Sequence, residues 1–146
     1  MLPPFPGVIC TSVNEQVVHG IPGKRKLKDG DILSIDACAI VDGWHADAAV
    51  TVPVGAVSPD AEKLIAVTAE ALRRGIAAAQ VGQRLGDVGV AVQKWVESQG
   101  LSIVRNYVGH GIGRAMHEDP QVPNYGAAPP RTSRGTEFRC CHRSRA

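Results

Sequence analysis

No apolar run in the chain approaches the roughly 18 residues that a helix needs to cross a bilayer. The amino end, MLPPFPGVIC, has neither the basic start nor the apolar stretch of a secretion signal. The expectation is a cytoplasmic protein with no membrane partner. Aromatic residues are scarce, at 4% of the chain, and the basic residues do not gather on its body. Residues 1–126 carry 11 Lys+Arg against 13 Asp+Glu, whereas residues 127–146 carry five Arg and one Glu. A nucleic-acid surface needs a basic patch interleaved with aromatics, so no direct nucleic-acid binding is expected. Cysteines number four, at positions 10, 38, 140 and 141. Without a secretion signal they do not read as a disulfide framework, and adjacent Cys140 and Cys141 make a poor structural pair. The run Cys140-Cys141-His142 lacks the spacing of a usable metal site and is read as accidental. There is no internal repeat.

What remains is a globular composition, 44% hydrophobic and 21% charged, in 146 residues, one domain's worth of chain or less. GVICTSVNEQVVHGIP reads as two short extended pieces, residues 8–13 and 16–19, around Asn14-Glu15, and GKRKLKDGD as a solvated basic turn. The strongest local signal follows. Residues 31–41 and 44–54 are strand-like runs joined by Asp42-Gly43, the dipeptide favoured in a two-residue type I′ hairpin. That turn pairs Asp47 with Cys38 and Asp36 with Ala49. Asp36 and Asp47 then become diagonal neighbours on one face, within reach of a common ligand. The other face, Ile35, Ala37, Ala39, Val41, Trp44, Ala46, Ala48, Val50 and Val52, is apolar throughout and is expected to be the core face. Two merely solvated aspartates are the bland reading of the carboxylate face. Against it, Asp is depleted in strands and like charges on one face repel, which a cation would relieve.

Ser58-Pro59-Asp60 is a helix start, with a cap, Pro at the first helical position and acid in the first turn. An apolar stripe from Leu64 through Ile76 carries that helix to about Gln80. Asp87 reads as the cap of a second helix with Val88, Ala91, Val92, Trp95 and Val96 inward, stopped by Gly100. The chain then becomes extended and Gly-rich around His110, and His110 and His117 sit in a Gly/Pro-rich loop where paired histidines point toward a site. From Ala127 the sequence has no periodicity, and none of it can be placed as helix or strand.

Two aspartates and a histidine suit Mn, Fe, Co or Zn in an oxygen-rich site. A bridging aspartate between two divalent ions is the arrangement that holds a hydroxide nucleophile and polarises a carbonyl. Three stretches carry a resemblance to a known family: FPGVICTSVNEQVVHGIP (5–22), LKDGDILSIDACAIVDGWHAD (27–47) and VGHGIGRAMHEDPQVPNYG (108–126). Over roughly residues 4–126 the chain resembles type I methionine aminopeptidase, of the dinuclear-metal peptidases with the pita-bread fold.

That resemblance implies an α+β fold, a curved antiparallel sheet with helices on its outer face, cut short at both ends. It implies a partial catalytic domain over residues 1–126 and an Arg-rich tail outside the family over 127–146. It also implies that Asp36 chelates one of two divalent ions (Co, Mn, Fe or Zn), Asp47 bridges both, and His110 binds the other. His19 and His117 would contact the peptide and stabilise the tetrahedral intermediate, and Cys10 would lie near the methionine side chain. The implied reaction is hydrolytic removal of the initiator methionine from nascent polypeptides by a monomer, with the ribosome as a further partner.

The chain departs from that pattern in several places. Cys38 stands where Thr is common, and Ala46 and Ala48 where Gly and Thr are common. The helical segment that usually precedes the Phe-Pro pair is missing. The Ile-Glu-Pro strand, whose glutamate is a metal ligand, and the final bridging glutamate have no counterpart, because Glu118 belongs to the HEDP run and Glu137 precedes the first missing position. The expectation is therefore impaired metal binding and little or no peptidase activity from these residues alone, with a shifted reading frame as one origin of the tail. The alternative is a non-catalytic pita-bread fragment that binds a nascent chain or a protein partner. A pita-bread aminopeptidase acting before proline is disfavoured by HEDPQVPNYG and CTSVNE.

Overall fold

The computed structural model describes residues 5–126; the Arg-rich tail, with Glu137 and the Cys140-Cys141-His142 run, lies outside the described residues. The elements in order are β1 (Cys10–Val13), β2 (Ile32–Val41), β3 (Trp44–Pro53), α1 (Pro59–Ala78), α2 (Leu85–Ser98), β4 (Gly109–Gly111) and β5 (Glu118–Val122). They fall into two compact units. Among the described residues the first holds 5–65 together with Ile112–Glu118, and the second holds Ala66–Gly111 and 119–126.

The first unit is built on an antiparallel sheet in the order β1-β2-β3. β2 and β3 are ten residues each, but β1 has four and covers only Leu33 to Asp36 of its neighbour. The far half of the hairpin is therefore a two-stranded ribbon, which has little means of burying either face. The expected core face is corrected here. Val41, Trp44 and Val50 are 68%, 55% and 56% exposed, and Ala37, Ala39, Ala46 and Ala48 are exposed with them. Residues 16–19, expected as a strand, do not form one. Asn14 turns the chain away from the ladder in a left-handed conformation (φ 55°).

That Asn14 is one half of a clasp. Its backbone N–H donates to the Ile32 carbonyl at 3.0 Å, and its side-chain Oδ1 accepts from the Ile32 N–H at 2.9 Å, so the amide extends the β1–β2 ladder by one rung. Its Nδ2 donates to the buried Asp31 carboxylate at 2.8 Å, which also accepts the Lys28 N–H at 3.0 Å. The Asp31 backbone carbonyl meanwhile accepts from Val54 at 2.9 Å. Asp31 thus joins the end of β1 and the basic turn through its carboxylate, and the end of β3 through its backbone carbonyl.

In the second unit the part of α1 from Ala66 onward packs on α2 through Val67, Ala71, Val92 and Val96, with Trp95, Leu101 and Ile103 against them. Trp95 Nε1 donates to the Val67 carbonyl at 3.0 Å, and the Arg74 guanidinium lies 3.9 Å from the Trp95 ring centre. α1 starts as anticipated, with the Ser58 hydroxyl accepting the Ala61 N–H at 3.2 Å. α2 starts earlier than expected. Asp87 is not its cap but lies in its first turn, reaching back to accept the Arg84 N–H at 2.8 Å. An acid at the third helical position satisfies the same unpaired amide end that a cap would. Gly100 ends the helix in a left-handed conformation (φ 76°). β4 and β5 form a separate two-stranded sheet.

The Asn14 amide, with the Lys28 N–H next in effect, holds the Asp31 carboxyl below the ordinary carboxylate range. A depressed pKa in the folded state stabilises the fold above the unfolded pKa of about 3.9 and loses that contribution as pH falls through the folded value. Asp31→Asn is therefore expected to lower the urea midpoint at pH 7, and the gap to the parent protein should close progressively below about pH 4. A gap that is constant with pH would remove the charge from the explanation.

Candidate active site

The turn between β2 and β3 determines what faces what. Asp42 and Gly43 both have positive φ, 52° and 76°, as a two-residue type I′ turn requires. The resulting register pairs Cys38 with Asp47 and Asp36 with Ala49, as the turn dipeptide implied. Asp36 and Asp47 consequently lie diagonally on one face, near enough for the Asp47 carboxyl to act on that of Asp36. β1 adds Cys10 directly opposite Asp36. Burial and then the Asp47 charge push the Asp36 carboxyl above its ordinary range, with the nearby His19 pulling the other way. Burial, followed by the charges of Asp36 and Asp47, raises the Cys10 thiol.

His19 reaches this neighbourhood by a strained route. Its φ is 59°, in a region that non-glycine residues seldom occupy. Gly20, buried beside it, donates to the Ser12 hydroxyl at 3.0 Å and accepts the Thr11 N–H at 2.8 Å. A Cβ on Gly20 would collide with the Thr11 carbonyl, so only glycine lets the chain lie this close to β1. Strain of this kind persists only where the surroundings enforce it, and it concentrates at functional sites.

His117 belongs to the same unit through a loop that docks on the hairpin tip. The Gly113 carbonyl accepts the His45 N–H at 2.8 Å, and Arg114 donates to the Asp42 carbonyl at 3.1 Å while its guanidinium stacks 4.5 Å from the Trp44 ring centre. Met116 brings its sulfur to 3.2 Å from Cys38 Sγ, and Glu118 accepts the Ala115 N–H at 2.8 Å. The sequence pointed to this loop through its paired histidines and its family motif, but not to the contacts of Gly113, Arg114 and Met116 with the hairpin tip.

Cys10, His19, Asp36, Asp47 and His117 thus lie in the first unit, and the structure puts Asp36 and Asp47 on one hairpin face with Cys10 opposite Asp36 and His19 near enough to act on it. His110 lies in β4 of the second unit, with Nδ1 2.9 Å from the Gly111 carbonyl oxygen. Among the described residues no group of three or more His, Cys, Asp or Glu side chains is gathered so as to hold a metal ion. Two carboxylates held together against their own repulsion are suitable oxygen donors for a divalent cation, and they supply part of a coordination shell rather than the whole of one.

A sequence profile of metallopeptidase family M24 matches residues 1–139. The chain belongs to metallopeptidase family M24. Methionine aminopeptidase 1 of Bacillus subtilis is 55% identical over 122 residues, 84% of this chain and 49% of that protein. The crystal structure of methionine aminopeptidase from Rickettsia prowazekii superposes with a TM-score of 0.87 at 43% identity, covering 92% of this chain and 53% of that one. Prolidase from Pyrococcus furiosus, at 20% identity and a TM-score of 0.76 over 91% of this chain and 38% of that one, shares the fold. The M24 chain described here therefore has the pita-bread fold, as expected, and spans about half the length of the curated relatives it matches.

Two consequences can be measured. In chelator-treated protein, Asp47→Asn should bring the Asp36 carboxyl back toward its ordinary value, read by NMR titration of the side-chain carbon; an unmoved Asp36 would mean that the two groups do not interact. Gly20→Ala should destabilise the fold by about 1–3 kcal/mol, the usual cost of overpacking. Its urea midpoint should fall accordingly, and the His19 ring resonances should shift.

Proposed function

We propose that these residues carry part of a metal-dependent methionine aminopeptidase site, one that releases the initiator methionine from nascent polypeptides. The observation that carries this reading is the β2–β3 register, which puts the Asp36 and Asp47 carboxyl groups on one hairpin face, in a chain whose family is metallopeptidase M24. Asp36 and Asp47 would hold divalent ions (Co, Mn, Fe or Zn), and His110 would be a further ligand. Divalent ions bound there supply Lewis acidity toward a peptide carbonyl.

The chain's own residues would do the rest. His19, held by the Gly20 docking, and His117, carried on the loop pinned by Arg114, would bind the peptide backbone near the scissile bond and stabilise charge on its oxygen. Cys10, opposite Asp36 in β1, would line the pocket for the methionine side chain, an apolar contact that suits its half-buried position. The substrate would be the amino-terminal methionine of a new chain, met at the ribosome, and the protein would act as a cytoplasmic monomer.

Among the described residues no group of three or more His, Cys, Asp or Glu donors is gathered, so the ions should be bound weakly. A second reading, a fragment that holds a nascent chain or partner protein without cleaving it, draws support from the exposed apolar side chains of Val41, Trp44 and Val50.

Calorimetric titration with Mn(II) tests the proposal. The expected result is binding that is weak in the parent and lost in Asp47→Asn; Mn(II) binding indifferent to that substitution, or none at all, would overturn the metal assignment in favour of the binding module. Hydrolysis of Met-Ala-Ser by this chain with added Mn(II) or Co(II) should stay near background, since losing a single acid or base group alone costs about 10²–10⁴ in rate. Turnover comparable to that of a full-length relative would show that the ligands described here suffice.

A further inference from the structure

Cys38 and Met116 place two sulfur atoms side by side on the outer part of the hairpin, and the reading above uses neither. We infer that they form a binding site for a soft monovalent cation of the Cu(I) type, distinct in ligand chemistry from the carboxylate pair. The Cys38 Sγ lies 3.2 Å from the Met116 Sδ, although the two residues are 78 apart in sequence. That approach is enforced on both sides. The type I′ turn and β-ladder hold Cys38 in β2. The bond from His45 to Gly113, the bond from Arg114 to the Asp42 carbonyl and the stacking of Arg114 on Trp44 anchor the loop that carries Met116.

The donor set decides the ion. A thiolate and a thioether are soft ligands that select Cu(I) over hard cations, which would go to the oxygens of Asp36 and Asp47 instead. A soft monovalent ion is satisfied by few ligands, so two sulfurs can suffice. A zinc-type site would need more, and no group of three or more His, Cys, Asp or Glu is gathered among the described residues. The site is open, since the Cys38 thiol is exposed. Asp47, directly across the ladder from Cys38, adds a negative charge that favours a cation over an anion or a neutral ligand. Met116 can adjust. Its unbranched side chain rotates about three bonds, so the gap between the sulfurs can widen to admit an ion. On binding, the Cys38 sulfur gives its proton to solvent and the Met116 sulfur contributes a lone pair; no oxidation state changes.

The test is an anaerobic Cu(I) titration of the full chain in competition with bicinchoninate, with Cys140→Ser and Cys141→Ser present throughout so that those two thiols do not contribute. Cys10 is common to all the proteins compared, and its background cancels. Cys38→Ser should lose one equivalent of bound Cu(I). Met116→Leu should retain the equivalent with affinity lower by at least about tenfold, since even groups one layer removed from a metal cost 10–100-fold when lost. Unchanged stoichiometry in Cys38→Ser, or unchanged affinity in Met116→Leu, overturns the site, the second because Cys38 would then be an isolated thiol. Leucine nearly preserves the methionine volume, so Met116→Leu decides the matter by itself if circular dichroism shows that Cys38→Ser does not fold.

Discussion

The backbone of two residues, Asp42 and Gly43, carries much of the consequence in this molecule. Both sit at positive φ, and that pair of left-handed residues matches the twist of the strands it joins. A turn one residue longer would shift β3 against β2 and send Asp47 to the opposite face, because side chains alternate with a period of two. With the register as it is, Asp36, Asp47 and Cys10 share a face, and the tip of the same hairpin receives the loop that carries Met116 and His117 through the Asp42 carbonyl and Trp44. The turn therefore places the acidic pair directly and its surroundings indirectly.

Around that hairpin the first unit spends polar interactions rather than apolar burial. Ser12 and Asp31 are buried, and each is satisfied: the serine hydroxyl by the Gly20 N–H, the carboxylate by Asn14 and Lys28. Buried polar groups of this kind specify geometry because an alternative arrangement would leave them unpaired. The second unit is different in kind. Its two helices meet through valine and alanine, an ordinary apolar contact that rewards volume and shape rather than particular hydrogen bonds. The residues with chemical potential concentrate in the polar unit, which holds the raised Asp36 carboxyl and the strained His19.

Much of this was legible beforehand, and for identifiable reasons. The hairpin, its turn and its register follow from Asp42-Gly43 and an unbroken alternation, both local. The start of α1 follows from Ser58-Pro59, also local. Asp87 was misplaced by one turn of helix, because an acid can satisfy helix amides either from the cap position or by reaching back from inside the first turn, and composition does not distinguish the two. The clasp between Asn14 and Asp31 was missed for another reason. Its partners are 17 residues apart, and a lysine-rich stretch between them reads as plain solvated surface.

The sequence by itself determined which residues could share a face, because alternation and a two-residue turn are properties of a short stretch of chain, and it carried the motifs by which the M24 family is known. Only the tertiary structure decided which face is covered. An apolar alternation says that a face prefers burial, but burial needs a packed layer from elsewhere, and among the described residues Val41, Trp44 and Val50 stay exposed. The structure also decided that Asp36 and Asp47 lie near enough to act on one another, and that Cys38 meets Met116. Contacts of that kind depend on side-chain torsions and on loops far away in sequence, which no local pattern encodes.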